Sequence, residues 1–316
     1  MLGPAPDLAT IRQGGKLALS RMLTRLEVAA NDPGIAAFLD RACAEDAGHV
    51  LGLTGPPGVG KSTLTDALIR QARAAGQTVS VLAIDPSSKR THGALLGDRT
   101  RLTNDPDDQG IFVRSMAARD RLGGLSDQAI AAIALLRAVT DLVIVESVGI
   151  GQSEGDLVEA CDTLVLCIQP GSGDSLQFMK AGIMELPDIA AVTKADMGAM
   201  SRRAASDALG ALSLGRREGK GWKVPVCEIS ARTGQGIEEL VAEVARHKEH
   251  LMLSGGRAFK RAAQQAHWLE DMIRVRFGTA GLAAVRDGMT GRESAEKPFS
   301  TYLKLAGKLE TALQKI

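Results

Sequence analysis

The chain has 316 residues, of which 45% are hydrophobic and 24% are charged, a composition typical of folded globular proteins. This length allows one large domain or two modest ones with a substantial core. A net charge of +1 and an aromatic content of 3% argue against general nucleic-acid binding, which uses excess positive charge or stacked rings. No apolar run reaches the ~18 residues of a membrane span, so we expect no transmembrane helix.

The N-terminal region and the cysteines predict a reduced, cytoplasmic chain. Basic residues from Arg12 to Arg25 alternate with polar ones and precede Glu27, and no apolar stretch of signal-peptide length follows them. The cysteines form no C-x-x-C pair, so they predict neither a disulfide framework nor a zinc site. The four cysteines are Cys43, Cys161, Cys167 and Cys227.

Short apolar runs alternate with stretches of helical period through the middle of the chain. This alternation is typical of strands that are buried on both faces of a parallel sheet, so the sequence predicts an α/β fold. The predicted strands are 50–53, 79–84, 111–113, 142–145, 163–168, 189–192 and 224–229. The predicted helices are 62–75, 127–139 and 237–250.

Both ends of the chain lack strand signals and show amphipathic helical patterns. At the N-terminal end, Asp32 is expected to cap a second helix that begins with Pro33. We therefore expect three parts: an N-terminal helical extension (1–47), a central α/β domain (48–250) and a C-terminal helical arm (251–316). The apolar positions that define the two end patterns are Leu17, Leu19, Leu23, Leu26, Tyr302, Leu303, Leu305, Leu309 and Leu313.

A glycine-rich segment, GPPGVGKST at residues 55–63, follows the first predicted strand and opens a predicted helix. It matches G-x-x-x-x-G-K-[ST] in the required strand, loop and helix context, and predicts a P-loop NTPase sandwich with a mostly parallel central sheet. Backbone N–H groups and the helix N-terminus bind phosphates in such a loop. Lys61 is expected to reach the β and γ phosphates, and Ser62 to bind Mg²⁺. The predicted phosphate-binding residues are Gly55, Gly58, Val59, Gly60, Lys61, Ser62 and Thr63.

Two acidic residues stand at the ends of predicted strands, which is where P-loop proteins hold their metal ion. Asp85 follows the second predicted strand and Glu146 follows the fourth. The run from Glu146 to Gly149 has the spacing of a GTPase metal and γ-phosphate motif, with Glu in the place of the usual Asp. Asp85 alone is equally consistent with a helix cap, but its combination with Glu146 and the P-loop favours a metal site.

Two further motifs predict the base. Thr193-Lys194-Ala195-Asp196 and Ser230-Ala231 close the sixth and seventh predicted strands, as the fourth and fifth GTPase motifs do. A carboxylate can accept both N1–H and the N2 amino proton of guanine, whereas adenine presents an acceptor and a donor. The sequence therefore predicts GTP, although a solvated Lys-Asp loop is the alternative and Thr193 replaces the common Asn. The predicted base-side residues are Lys194, Asp196, Ser230, Ala231 and Arg232.

With these motifs the chain resembles the methylmalonyl-CoA mutase-associated GTPases, the MeaB/ArgK type of the G3E P-loop GTPases. The resemblance rests on TGPPGVGKST (54–63), DPSS (85–88), LGDRTR (96–101), ESVGIGQSE (146–154), PGSGD (170–174) and KAD (194–196). It implies a Mg²⁺ site that is completed by Asp85, Asp98 and Glu146. The catalytic residues are then Lys61, Asp98 and Glu146, and Gly149 contacts the γ-phosphate.

The resemblance also implies a function. The chain is expected to be a homodimeric GTPase chaperone of an adenosylcobalamin-dependent acyl-CoA mutase, acting with its adenosyltransferase, and neither nucleic acid nor membrane is an expected partner. The segment 169–182 resembles the family's switch loop, although it is also consistent with an ordinary strand-to-helix loop. No Gln directly follows Gly149, so we expect slow turnover that a partner stimulates by ordering this segment or 89–101, with Arg90 or Arg99 supplying charge.

Three alternatives stay open. P-loops also serve kinases, which would phosphorylate a transport protein or a small molecule, but no acceptor motif is evident. Metal-insertion GTPases bring Cys/His clusters. Here His247 and His250 share a helical face without a third ligand, and we interpret them as a helix-surface pair. The third alternative is a binding module that hydrolyses GTP negligibly without its partner.

Overall fold

A computed structural model describes residues 5–29, 31–45, 47–85, 107–118, 125–147, 153–171, 183–214, 221–289 and 296–314. These residues form two compact units. The first comprises Met1–Gly48, Asp127–Thr140 and Arg257–Ile316, and the second comprises His49–Ser126 and Asp141–Gly256. Within the described ranges, no helix is long and apolar enough to span a membrane.

The second unit is built on a sheet of seven described strands, in the order β3-β2-β4-β1-β5-β6-β7. Every neighbouring pair is parallel, which confirms the predicted α/β sandwich. The strands are β1 (His49–Thr54), β2 (Val79–Asp85), β3 (Ile111–Ala117), β4 (Leu142–Glu146), β5 (Thr163–Ile168), β6 (Ile189–Val192) and β7 (Val226–Glu228). Against the prediction, β3 is longer because its whole length pairs with β2, and β7 is shorter because its pairing with β6 covers only three residues.

Helices pack on this sheet through apolar side chains. Leu64 and Leu68 of one helix and Leu240 of another are buried in one cluster with Val81 and Val165 of the strands. A second cluster joins Leu166 and Val192 to Ala208. Since these strand residues are buried, the continuous apolar runs of the sequence are explained by burial of the sheet. The helices of this unit are α4 (Lys61–Ala74), α6 (Ser153–Val158), α7 (Ala199–Leu214) and α8 (Ile237–Leu253).

The first unit is helical. Its helices are α1 (Leu8–Gln13), α2 (Gly15–Val28), α3 (Pro33–Ala44), α5 (Asp127–Val139), α9 (Gly256–Val285) and α10 (Pro298–Leu313). Asp32 caps α3 as predicted, because its Oδ1 accepts from the N–H groups of Gly34 at 2.7 Å and Ile35 at 3.1 Å. The expected single helix before Asp32 is wrong: Gly15 has φ +58°, a left-handed conformation, and separates α1 from α2.

A buried carboxylate joins two helices of the first unit. Asp40 of α3 accepts from the backbone N–H groups of Phe299 at 2.9 Å and Ser300 at 3.2 Å, in the first turn of α10. Asp40 therefore supplies from another helix the acceptor that an N-cap residue normally provides. Burial raises the pKa of this carboxyl above its usual value, and the hydrogen bonds partly oppose that shift.

Two of the predicted apolar positions differ from expectation. Leu19, Leu23 and Leu305 are buried, but Leu17 is 61% exposed and Leu313 is 60% exposed. The two exposed leucines therefore lie off the packed faces of their helices. All four cysteines are buried and free.

Candidate functional site

The glycine-rich loop joins β1 to α4, in the strand, loop and helix context that the motif requires. Gly55, Gly58 and Gly60 have φ values of +144°, +74° and +103°, which favour glycine strongly over other residues. A Cβ atom on Gly55 would lie 2.5 Å from the carbonyl oxygen of Cys167 in β5, so the loop also needs glycine for close approach. Val59 is fully buried and anchors the loop in the core.

Lys61, the first residue of α4, is bound to the loop that precedes it. Its Nζ donates to the carbonyl oxygens of Gly55 at 2.8 Å and Pro56 at 3.3 Å, and the side chain is buried. A buried ammonium beside a helix N-terminus creates a positive local field, which suits a triphosphate. The geometry thus places the predicted phosphate-binding cation at the loop.

Ser62 and Glu146 meet at the carboxyl ends of the strands. Glu146 is the last residue of β4 and is paired with Leu53 of β1, and the residue is 8% exposed. The Ser62 hydroxyl donates to Oε1 of Glu146 at 2.8 Å. Two residues that are 84 positions apart, predicted to share a metal ion, are therefore direct neighbours.

Sequence reasoning missed Thr65, which also touches this carboxylate. The Thr65 Oγ1 lies 3.1 Å from Oε2 of Glu146, and it lies 3.1 Å from the Lys61 carbonyl oxygen. Thr65 follows Lys61 by one helical turn, so the two occupy the same face of α4. That spacing is the signal that could have identified it.

The donor set at this place fits Mg²⁺. A hydroxyl and a carboxylate supply only oxygen atoms, the ligands that Mg²⁺ prefers, and Mg²⁺ at P-loops takes few protein ligands besides phosphate and water. Among the described residues, no three His, Cys, Asp or Glu side chains cluster as a metal site. The backbone of Asp85 ends β2, next to β4, but its side chain is not described. Asp98 and Gly149 lie outside the described ranges.

The predicted base-recognition carboxylate is fixed on both oxygens. Asp196 Oδ1 accepts from Ser230 Oγ at 2.7 Å, and Oδ2 accepts from Arg232 Nη2 at 2.7 Å. The hydrogen bond from Ser230 is the main reason why the pKa of Asp196 is lowered, and the positive charge of Arg232 acts in the same direction. Asp196 is therefore an anion at neutral pH, as acceptance from two guanine N–H groups requires.

Lys194 connects the base motif to the phosphate loop. It has φ +56° and is the one non-glycine residue among the described ranges with a positive φ. Its Nζ donates to the Gly58 carbonyl oxygen at 3.1 Å. Thr193 stands in the place of the common Asn, and its hydroxyl donates to the Ile168 carbonyl oxygen at 3.2 Å. The link to the P-loop is therefore made by Lys194.

The loop after β7 holds Ser230 and Ala231 in place. The Ser230 N–H donates to the Gln235 carbonyl oxygen at 2.9 Å, and the Ala195 N–H donates to the Ile229 carbonyl oxygen at 2.9 Å. Gly236 has φ +70°, and a Cβ atom there would lie 2.1 Å from the Glu228 carbonyl oxygen. The two base motifs are thus bound to each other through the backbone.

The interpretation of His247 and His250 as a surface pair is wrong for His247. Its side chain is buried, and Nδ1 lies 2.8 Å from Thr163 Oγ1 at the start of β5. Its ring also packs against Trp222, with centroids 4.8 Å apart. This face of α8 packs inward on the sheet, so His247 is a core residue.

Other proteins match the chain over most of its length. The family model described as methylmalonyl Co-A mutase-associated GTPase MeaB matches residues 19–284. A Pyrococcus horikoshii protein that carries a GTPase name is 43% identical over 260 residues, which cover 79% of this chain and 80% of that protein. The mouse protein named methylmalonic aciduria type A homolog, mitochondrial, is 37% identical over 71% of this chain, which spans only 54% of the mouse protein.

A solved structure agrees with these matches. The crystal structure of a LAO/AO transport system kinase has a TM-score of 0.67 and 26% sequence identity, and the match covers 94% of this chain and 96% of that one. The P-loop, the parallel sheet and the extent of the family match lead to one assignment. The chain is a P-loop GTPase and belongs to the methylmalonyl-CoA mutase-associated GTPase family, MeaB.

Proposed function

We propose that this GTPase is a chaperone of an adenosylcobalamin-dependent acyl-CoA mutase of the methylmalonyl-CoA mutase type. The observation that carries the proposal is the family match over residues 19–284, because the family description itself names association with that mutase. The name of the mouse relative, which refers to methylmalonic aciduria, supports the same partner. GTP hydrolysis would time cofactor delivery to the mutase, with its adenosyltransferase as the further partner, and would support reactivation.

The proposal assigns a role to each part of the nucleotide site. The loop amides bind the phosphates, and Lys61 exchanges its loop carbonyls for phosphate oxygens, where its charge stabilises phosphoryl transfer. Ser62 and Glu146 would hold Mg²⁺, which would neutralise negative charge on the phosphates. The further proposed ligands are Asp85 and Asp98.

On the base side, the proposal rests on the hydrogen bonds of Asp196. Ser230 and Arg232 fix its carboxylate, so it can accept N1–H and the N2 amino group of guanine without reorganising. Lys194 would cover the base while its ammonium stays on the phosphate loop, and the Ala231 N–H would donate to O6. GTP is thereby preferred to ATP.

The surrounding parts of the chain are proposed to serve regulation and assembly. We keep residues 48–250 as the GTPase domain, 1–47 as a helical extension and 251–316 as the arm of a homodimer in the cytoplasm. Partner stimulation would act through 89–101 or 169–182. The first segment lies outside the described ranges, as do Arg90, Arg99 and most of the second.

The decisive experiment measures GTP turnover with and without a purified adenosylcobalamin-dependent mutase, beside a pull-down in GDP and in a non-hydrolysable GTP analogue. We expect the mutase to raise turnover and the recovered complex to depend on the nucleotide. A Lys61→Ala variant gives the background rate. Unchanged turnover together with equal or absent recovery in both nucleotides would contradict the proposal.

One observation favours a second candidate, a kinase. The solved structure that covers 94% of this chain is that of a protein named LAO/AO transport system kinase. A kinase moves the γ-phosphate to an acceptor, whereas a GTPase releases it to water. Incubation with γ-labelled GTP and candidate acceptors separates the two, since label recovered on a protein or a small molecule would identify a kinase.

A further inference from the structure

Glu146 is held by two hydroxyl groups of one helix. Ser62 Oγ donates to Oε1 at 2.8 Å, and Thr65 Oγ1 lies 3.1 Å from Oε2. Both hydroxyls come from the first turns of α4, the helix that follows the phosphate loop. The carboxylate is thus contacted on both oxygens, which fixes its plane as well as its position.

The single proton of the Thr65 hydroxyl has two acceptors within reach. One is the Lys61 carbonyl oxygen at 3.1 Å, which in a regular helix already accepts the Thr65 backbone N–H. The other is the Glu146 carboxylate, and an ionised acceptor forms the stronger hydrogen bond. The Thr65 hydroxyl therefore donates preferentially to Glu146, and its contact with the Lys61 carbonyl oxygen is the weaker one.

The two hydroxyls differ in exposure. Thr65 is completely buried, whereas Ser62 is partly exposed at the loop. A ligand of a nucleotide-bound metal must reach the open side of the carboxylate, which suits Ser62 and not Thr65. The hydroxyl of Thr65 acts from within the core, on the oxygen that Ser62 does not contact.

We propose that Thr65 is a positioning residue that holds the Glu146 carboxylate in the orientation for binding Mg²⁺. The inference rests on the proposed role of Glu146 as a metal ligand and deepens it. Residues that hydrogen-bond a ligating carboxylate orient it, and their loss lowers metal affinity without removing a ligand.

The test compares Thr65→Val, which removes the hydroxyl and keeps the branched shape, with Thr65→Ser, which keeps the hydroxyl. Mg²⁺ is titrated into each protein, and both binding of a fluorescent guanine nucleotide and GTP hydrolysis are followed. We expect Thr65→Val to raise the half-saturating Mg²⁺ concentration about 10-fold or more, as loss of an outer-shell partner typically does. Nucleotide affinity in excess EDTA should stay near the wild-type value, and Thr65→Ser should restore most of the Mg²⁺ affinity.

A matched control is Thr140→Val. The Thr140 hydroxyl donates to the Leu136 carbonyl oxygen four residues earlier at 2.9 Å, so this variant loses the same type of helix contact away from Glu146. Its Mg²⁺ titration should match the wild type. If Thr65→Val does not fold, Thr65→Ala provides the hydroxyl-free measurement.

The Glu146→Gln variant distinguishes a failure of the Thr65 inference from a failure of the proposed metal-binding role of Glu146. If it raises the Mg²⁺ requirement and the hydroxyl-free Thr65 variant does not, the role of Thr65 is wrong while that of Glu146 stands. If neither variant changes the requirement, the metal assignment of Glu146 is wrong as well. A Thr65→Ser protein as defective as Thr65→Val would show a packing effect and would also overturn the inference.

Discussion

Polar side chains cluster at both ends of the strands of the central sheet, but the two clusters have different surroundings. At the amino ends of the strands, Asp162 accepts from the Val50 N–H at 2.8 Å and Asp188 accepts from the Leu164 N–H at 2.9 Å. Between them, Thr163 Oγ1 lies 2.8 Å from ring nitrogens of both His49 and His247. These groups hydrogen-bond the strand backbone and one another.

At the carboxyl ends, the polar side chains lie near the phosphate loop, whose glycines have positive φ values. Ser62 contacts Glu146, Ser230 contacts Asp196, and Lys61 contacts loop carbonyl oxygens. Burial of polar groups therefore does not by itself identify a site, whereas their position near the phosphate loop does.

The largest expected effect is at the phosphate loop. Lys61→Ala should reduce kcat for GTP hydrolysis by at least about 10²-fold, because one preorganised charge on the transferring phosphoryl group is lost. The measurement is phosphate release by the purified variant, with circular dichroism to check the fold. Turnover at the wild-type rate would show that the phosphate loop is not part of the active site.

The base side should show a smaller, selective effect. Asp196→Asn replaces one acceptor oxygen by a donor, so GDP binding should weaken by about 10-fold or more, the scale of one charge-assisted hydrogen bond. Xanthine nucleotides should gain relative to guanine nucleotides. Arg232→Gln, which keeps the carboxylate and removes its ion pair, is the matched comparison and should keep the guanine preference. An Asp196→Asn protein with unchanged preference would contradict base recognition by this residue.

Substitutions at the amino ends of the strands should lower stability and leave GTP hydrolysis unchanged. Thr163→Val removes the hydroxyl from both histidine rings, and we expect a loss of about 1–3 kcal/mol in the free energy of unfolding. Denaturant unfolding measures this loss, and kcat should remain near the wild-type value. Thr163→Ser should recover most of the stability. If hydrolysis were lost while stability stayed unchanged, the polar cluster around Thr163 would instead belong to the active site.

The sequence predicted the features that depend on local pattern. Continuous apolar runs identified the strands, and glycine spacing located the phosphate loop because the backbone itself restricts which residues fit there. Contacts between elements that are far apart in the sequence could not be predicted from it. The spacing of Thr65 from Lys61 indicates only a shared helix face, whereas its contact with Glu146 depends on how α4 lies against β4. The burial of His247 likewise depends on how α8 lies on β5. For Asp98 and Gly149 the sequence prediction stands alone.

The hydrogen bonds from α10 to Asp40 have a consequence for biosynthesis. Asp40 and Phe299 are 259 positions apart, so the ribosome makes the acceptor long before its donors. Until α10 emerges, this carboxylate lacks the two N–H groups that compensate for its burial. The N-terminal helices therefore reach their final arrangement only after α10 has been synthesised.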